Sequence, residues 1–140
     1  MIEKVKIFFE PNDASWLLRH VDTLQSRVSI DQYPLNLKKV WKNTPVGEYM
    51  LLKRLRVAKE NYDRFILPHY SSLNSYLPDA QITKHLQPMK HDITVLVNLF
   101  EENSWTTYFK DIRTKEIYKK ELKANEAFIY DGSGYEMWRE

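Results

Sequence analysis

Histidine and carboxylate side chains that could hold a metal ion occur together in one short stretch of the sequence. His85, His91 and Asp92 fall within eight residues of one another. Two imidazoles and one carboxylate form the donor set of many non-haem iron sites. If the segments on either side are adjacent strands, His85 and His91 flank the connection and can approach each other. The alternative interpretation is an exposed polar turn, since Pro88-Met89-Lys90 between the histidines is typical of a loop.

Other kinds of chemistry lack the residues that they need. The sequence has no cysteine, which excludes thiolate catalysis, iron–sulfur clusters, disulfides and Cys-based zinc sites. Its three glycines form no phosphate-binding loop, which requires clustered glycines for close backbone approach. Ser133 lies between Gly132 and Gly134 outside any G-x-S-x-G nucleophile motif, and we interpret this segment as a turn. No histidine follows His91, so the later histidine of a cupin metal site is absent as well.

The composition predicts one folded domain of 140 residues. Hydrophobic residues make up 43% and aromatic residues 14%, which is typical of a chain with a packed core. The 21 basic and 19 acidic residues give a net charge of +2, too even a balance to indicate nucleic-acid binding. Charged residues interrupt the apolar start of the chain, and no segment approaches the ~20 apolar residues of a membrane span. We therefore expect a cytoplasmic protein.

The first eighty residues predict helices preceded by one strand. Residues 2–9 alternate partly between apolar and polar side chains and predict a short edge strand. A first helix follows, with Asn12 or Asp13 as its N-cap. One face of that helix carries the apolar residues Leu17, Val21, Leu24 and Val28.

A second helix is predicted over residues 45–66, with Thr44 as the N-cap and Pro45 at the first helical position. Its apolar face consists of Leu51, Leu55, Ala58, Tyr62 and Phe65. Trp41 is expected to anchor the preceding segment to the core. Residues 69–77 predict a short helix or a turn.

The last sixty residues predict an antiparallel β-meander. Segments rich in β-branched and aromatic residues alternate with turn residues, at a spacing typical of a sandwich or jelly roll. These segments are 81–87, 92–100, 105–112, 116–122 and 126–131. The second is almost continuously apolar and predicts a central strand, whereas the fourth alternates and predicts a more exposed one. We therefore expect an α+β fold in one domain, 1–140, with N-terminal helices (1–80) packed on a C-terminal antiparallel β-sandwich (81–140).

A series of motifs follows Gln81 in a definite order. They are His85-Leu86-Gln87, Asp92, Asn98-Leu99, Trp105, residues 125–132 and residues 135–140. In this order the sequence resembles the double-stranded β-helix of Fe(II)/2-oxoglutarate-dependent oxygenases, in a version common in phage and marine bacterial sequences. The resemblance covers less than half of the chain and implies a jelly roll for that part.

The resemblance also implies an iron site, but its ligands are largely substituted here. His85 stands at the first histidine of the family, Gln87 at its carboxylate and Met137 at its second histidine. A neutral amide lacks the charge that helps to hold a dication, and a thioether is a poor ligand for Fe(II). The basic residue that binds the 2-oxoglutarate carboxylate would belong beyond Glu140. Iron and 2-oxoglutarate are thus implied by the family and not supported by the residues.

These substitutions predict a non-catalytic or degenerate oxygenase-like protein that binds no metal. Its vestigial pocket would comprise His85, Gln87, Met137, Arg139 and Trp105. One alternative is a β-sandwich module that binds a small-molecule ligand or self-associates. A second alternative is an active non-haem metal enzyme that uses His85, His91 and Asp92. None of these alternatives involves nucleic acid or a membrane.

Aromatic residues concentrate in the predicted sheet and leave three roles open. They are Trp105, Tyr108, Phe109, Tyr118, Phe128, Tyr130, Tyr135 and Trp138. They can pack in the core, line the mouth of the sandwich as a small-molecule or sugar-binding surface, or form a self-association face. The last role rests on the chain stopping after Trp138, which would leave the final strand at a sheet edge and favour a homodimer.

Overall fold

The computed structural model describes residues 2–25, 38–61, 66–69, 71–76, 80–86, 93–100 and 105–140. The helices within them are α1 (Pro11–Gln25) and α2 (Pro45–Asn61). The strands are β1 (Ile2–Val5), β2 (Lys38–Lys42), β3 (Ser72–Tyr76), β4 (Ile82–His85), β5 (Ile93–Val97), β6 (Thr107–Asp111), β7 (Ile117–Lys120), β8 (Ala127–Asp131) and β9 (Tyr135–Arg139). The chain forms two compact units, one of Met1–Phe8 with Gln81–Glu140 and one of Phe9–Ala80. The organisation as one domain stays a prediction.

Helix α1 begins at Pro11, ahead of both residues predicted as its N-cap. Pro11 occupies the first helical position, and the Ala14 N–H donates to the carbonyl of Glu10 at 3.0 Å. The predicted N-cap at Asn12 or Asp13 is therefore wrong, because proline already has the helical φ and needs no N–H at this position. Asp13 lies in the first turn instead and accepts a hydrogen bond from Lys53 Nζ at 2.6 Å.

Helix α2 begins as predicted. The Thr44 hydroxyl accepts a hydrogen bond from the Gly47 N–H at 3.0 Å, which confirms Thr44 as the N-cap, and Pro45 opens the helix. The helix is described to Asn61, so the last part of the predicted span lies outside the described residues. Within the described residues, no helix has the length and apolar character to cross a membrane.

A two-stranded sheet in the second unit was not predicted. Strands β2 and β3 pair antiparallel, with Trp41 opposite Leu73. The prediction of a helix or turn over residues 69–77 is wrong, since β3 occupies most of that range. A short polar segment such as SLNSY has little intrinsic preference, and pairing with β2 decides its conformation. Trp41 is buried, in agreement with its expected role in the core.

The first unit is a sandwich of two antiparallel sheets. One has the order β1-β8-β5 and the other the order β4-β9-β6-β7. The predicted edge position of the first strand and the exposed position of β7 are confirmed. Two other predictions are wrong among the described strands: β5 ends its sheet instead of lying at the centre, and β9 is central instead of lying at an edge. Strand β5 is partly covered on both faces, so its apolar sequence does not distinguish the two positions.

Phe109 lies at the centre of the sandwich core. Its ring is fully buried and makes edge-to-face contacts with Phe128 and Tyr130, at centroid distances of 5.3 and 4.9 Å. Phe109 belongs to the four-stranded sheet and its two partners to the three-stranded sheet, so these contacts join the layers. Helices together with an antiparallel β-sandwich confirm the predicted α+β class.

The turn between β6 and β7 gives a prediction for the acid range. One carboxylate oxygen of Asp111 accepts the N–H groups of Thr114 and Arg113, at 3.0 and 2.7 Å, and these bonds lower the pKa of Asp111 below its ordinary 3.8. A carboxyl group whose pKa is lower in the folded than in the unfolded state stabilises the fold at pH values above its unfolded-state pKa. This stabilisation is lost as the pH falls through its folded-state pKa. Asp111→Asn keeps the acceptor but loses the charge. We expect its urea midpoint to lie below wild type at neutral pH and to converge on wild type in acid; a constant difference would contradict the assignment.

Candidate functional site

A row of side chains crosses the inner face of the four-stranded sheet and contains two of the predicted site residues. His85 is in register with Met137, Met137 with Phe109, and Phe109 with Tyr118; we call this the His85 row. Directly opposite residues of antiparallel strands point to the same face of the sheet. Because Met137 and Phe109 belong to the buried core, His85 also lies on the inner side of the sandwich.

A second row lies two residues further along β9. It consists of Ile82, Arg139, Thr107 and Lys120, and we call it the Arg139 row. Ile82 and His85 are three residues apart, so a regular strand would point them to opposite faces. The register shifts between them as in a β-bulge, and this irregularity allows both to face inward. The bulge therefore determines where the His85 imidazole points.

The His85 ring is oriented by its own strand. Its Nδ1 lies 2.8 Å from the carbonyl oxygen of Thr83. Since a carbonyl only accepts, Nδ1 carries the proton, and in the neutral ring Nε2 keeps its lone pair. Histidines that ligate metals are commonly held by the same kind of backbone contact. His85 thus retains the tautomer that a metal ligand or a base requires.

Met137 presents no comparable donor. Its side chain is 6% exposed and is part of the core cluster around Phe109. The position opposite His85, where the resemblance places a second histidine, is therefore an apolar thioether in a packed layer. His85 and Met137 are thus register partners on neighbouring strands, and the vestigial pocket as a whole stays a prediction.

Arg139 is a buried charged residue of the inner face. Its side chain is 6% exposed, and its Nε donates to the Thr107 hydroxyl at 2.7 Å. The guanidinium lies over the Trp105 ring, 4.7 Å from the centroid, and the Trp105 indole N–H donates to the carbonyl of Glu140 at 3.0 Å. Arg139 and Trp105, both predicted for the vestigial pocket, are thus in contact, and Arg139 lies in the row next to His85 and Met137.

Two residues before Met137 on β9, Tyr135 lies at a depression in the surface. Tyr135 is in register with Asp111, and both line the depression together with Arg113 and Asp131. Burial raises the pKa of the Tyr135 phenol, so its hydroxyl stays protonated beyond the usual range. This depression offers both hydrogen-bond donors and acceptors. Sequence reasoning missed it, because its residues come from two turns that are distant along the chain.

The remaining predicted ligands cannot be placed. Gln87, His91 and Asp92 lie outside the described residues, so the constellation of His85, His91 and Asp92 stays a prediction. Among the residues that the structure does describe, no three histidine, aspartate or glutamate side chains converge as they would around a metal ion.

Six of the aromatic residues divide between the core of the sandwich and the outer face of the four-stranded sheet. Four of them, Phe109, Phe128, Tyr130 and Tyr135, belong to the core cluster. On the opposite face Tyr108 and Trp138 are stacked with centroids 5.3 Å apart, and Lys84 Nζ lies 4.2 Å from the centre of the Trp138 ring. The period-two alternation along β6 and β9 could have separated these faces in the sequence.

The segment Gly132-Ser133-Gly134 is a turn, as interpreted from the sequence. The Ser133 hydroxyl donates to the Asp131 carboxylate at 2.7 Å, and the Gly134 N–H donates to the Asp131 carbonyl at 3.1 Å. These bonds close the turn between β8 and β9, which belong to different sheets. They give Ser133 a structural role in the turn.

Comparison with known proteins supports the fold. No protein-family model matches the sequence, and no curated protein is similar to it. Among solved structures, a prolyl-4-hydroxylase from Pseudomonas putida is similar, with a TM-score of 0.78 over 99% of this chain and 84% of that chain. The sequence identity is 10%, so the likeness shows the fold alone. The chain has the α+β jelly-roll architecture of that hydroxylase.

Proposed function

We propose that this chain is a non-catalytic member of the oxygenase-like jelly rolls, with the scaffold retained and the iron site lost. The observation that carries the proposal is the pair His85 and Met137, which lie opposite each other on the edge strand β4 and its neighbour β9 in the four-stranded sheet. In the family that the sequence resembles, these positions hold two histidines. Here only one of them can donate a nitrogen to iron.

The residues present do not fit an iron ion. Fe(II) sites of this type need two imidazoles and a carboxylate on one side of the metal, with the other positions open. His85 supplies one imidazole with the correct tautomer. Met137 supplies a neutral thioether that is packed among apolar side chains, and soft thioethers favour Cu(I) over Fe(II). A single imidazole without an anionic partner is a weak site for a dication.

The positive charge of Arg139 also disfavours a cation at the Met137 position. Arg139 and Met137 are alternate residues of one strand and point to the same face, about 7 Å apart along it. A buried guanidinium keeps its positive charge, since arginine does not deprotonate in proteins. It would repel a dication bound at the Met137 position, and the repulsion is stronger inside a protein than in water. At the Met137 position, the charge of Arg139 therefore disfavours a metal cation.

Metal binding by the purified protein tests the proposal. We expect that dialysis against Fe(II) without oxygen leaves far less than one iron per chain, and that the protein does not consume 2-oxoglutarate. One equivalent of retained iron that His85→Ala abolishes would overturn the proposal. That outcome would favour the active enzyme that uses His85 with His91 and Asp92. A small-molecule ligand in the sandwich stays a further prediction.

A further inference from the structure

One edge of the three-stranded sheet is open among the residues that the structure describes. Strand β5 ends the order β1-β8-β5, and only β8 pairs with it there. The Asn98 N–H donates to the carbonyl of Glu126 at 3.0 Å, so Asn98 is hydrogen-bonded toward the β8 side. Hydrogen bonding alternates along an antiparallel strand. Ile93, Val95 and Val97 therefore direct their N–H and C=O groups away from β8.

The chemistry of this edge differs from that of the other three edges of the sandwich. The other edge strands β1, β4 and β7 carry Lys4, Lys84, Lys119 and Lys120. Lysine on an edge strand discourages pairing with another chain, because pairing would confine its charge. Strand β5 has the sequence ITVLV, without charge, proline or glycine. It has none of these protections and a high intrinsic preference for β-structure.

We propose that β5 pairs antiparallel with the β5 of a second copy of this chain, about a twofold axis at Val95. In this register Val95 lies opposite Val95 of the second copy, and Ile93 lies opposite its Val97. Each pair exchanges two hydrogen bonds, so every outward N–H and C=O group of Ile93, Val95 and Val97 finds a partner. The two sheets become one, with β5 no longer at an edge.

A second copy is the occupant that this edge fits best. Pairing β5 with itself closes a symmetric dimer, in which each copy offers the same surface. Pairing β5 with the lysine-bearing edge of β7 would place charges beside the junction and would leave further edges free, which produces open chains. The dimer does not depend on whether His85 binds a metal, so the two proposals can fail separately.

Two proline variants test the edge. Val95→Pro removes an outward N–H without touching the bonds between β5 and β8. Lys119→Pro is the matched control, because the Asp111 N–H donates to the carbonyl of Glu116 and the alternation then points the Lys119 N–H away from β6. By light scattering over a concentration series, we expect wild type and Lys119→Pro to dimerise alike. We expect Val95→Pro to weaken dimerisation by about tenfold or more.

Cysteine cross-linking provides a test that does not depend on a proline variant folding. The chain has no cysteine, so Val95→Cys introduces a single thiol of similar volume. In the proposed register the two Cα atoms are about 5.5 Å apart, within disulfide range. Oxidation should yield a covalent dimer with Val95→Cys and monomer with Lys119→Cys. A wild type that is monomeric at every concentration, or a dimer that neither traps at position 95 nor responds to Val95→Pro, would overturn the proposal.

Discussion

Replacing Met137 with histidine should create a metal site on the inner face of the sandwich. The new imidazole would lie opposite His85, and the Cβ atoms of such a pair are about 4.5–5.5 Å apart, which allows two imidazoles to share one ion. Backbone contact already leaves Nε2 of His85 with its lone pair. We expect Met137→His to bind Zn²⁺ or Co²⁺ at least about tenfold tighter than wild type, or ~1.4 kcal/mol. Calorimetry and the visible spectrum of bound Co²⁺ measure this gain.

The controls separate metal binding from changes in packing. Met137→Leu keeps the volume and the apolar surface, so it should bind metal no better than wild type. Met137→His combined with His85→Ala should lose the gain. Adding Gln87→Asp supplies the carboxylate of the family pattern and should tighten binding further. If Met137→His binds metal no better than Met137→Leu, the two side chains do not converge, and the resemblance fails at the site itself.

The sequence predicted local structure best where a short motif determines the backbone geometry. Thr44-Pro45 predicted the start of α2 correctly, because an N-cap and a proline act through local geometry. The match of Met137 to a ligand position of the family rests on the Trp-Arg-Glu that follows it, and it stays a prediction. What the order of motifs could not provide was the register, and the pairing of His85 with Met137 required coordinates.

Other features depend on contacts between distant parts of the chain. Strand β3 forms because β2 pairs with it, and no local pattern in SLNSY predicts that pairing. The bulge between Ile82 and His85 has no glycine to indicate it, yet it allows the histidine to face the inside. The position of β5 could not be inferred either, since apolar residues on both faces occur in central and in partly covered edge strands. The open edge is therefore visible only in the sheet order.

Replacing Phe109 with alanine should remove a large part of the stability of the sandwich. The ring is fully buried between the sheets, beside Met137 in the His85 row, with Phe128 and Tyr130 against it. Truncation of such a residue costs about 3–5 kcal/mol, from lost burial and from the cavity left behind. Domains of this size are stable by about 5–15 kcal/mol in all. We expect the urea midpoint to fall accordingly, with circular dichroism as the measurement.

Tyr108 gives the matched control. It precedes Phe109 on β6, and its side chain points to the opposite face of the sheet. Tyr108→Ala loses the stack on Trp138, which is worth about 0.5–1.5 kcal/mol beyond area burial, and it opens no core cavity. A much larger effect at Phe109 than at Tyr108 means that the inner face beside Met137 is a packed layer with no room for a cosubstrate. Equal effects would instead indicate a solvent-filled pocket behind the His85 row. That outcome would contradict the proposed loss of the active site.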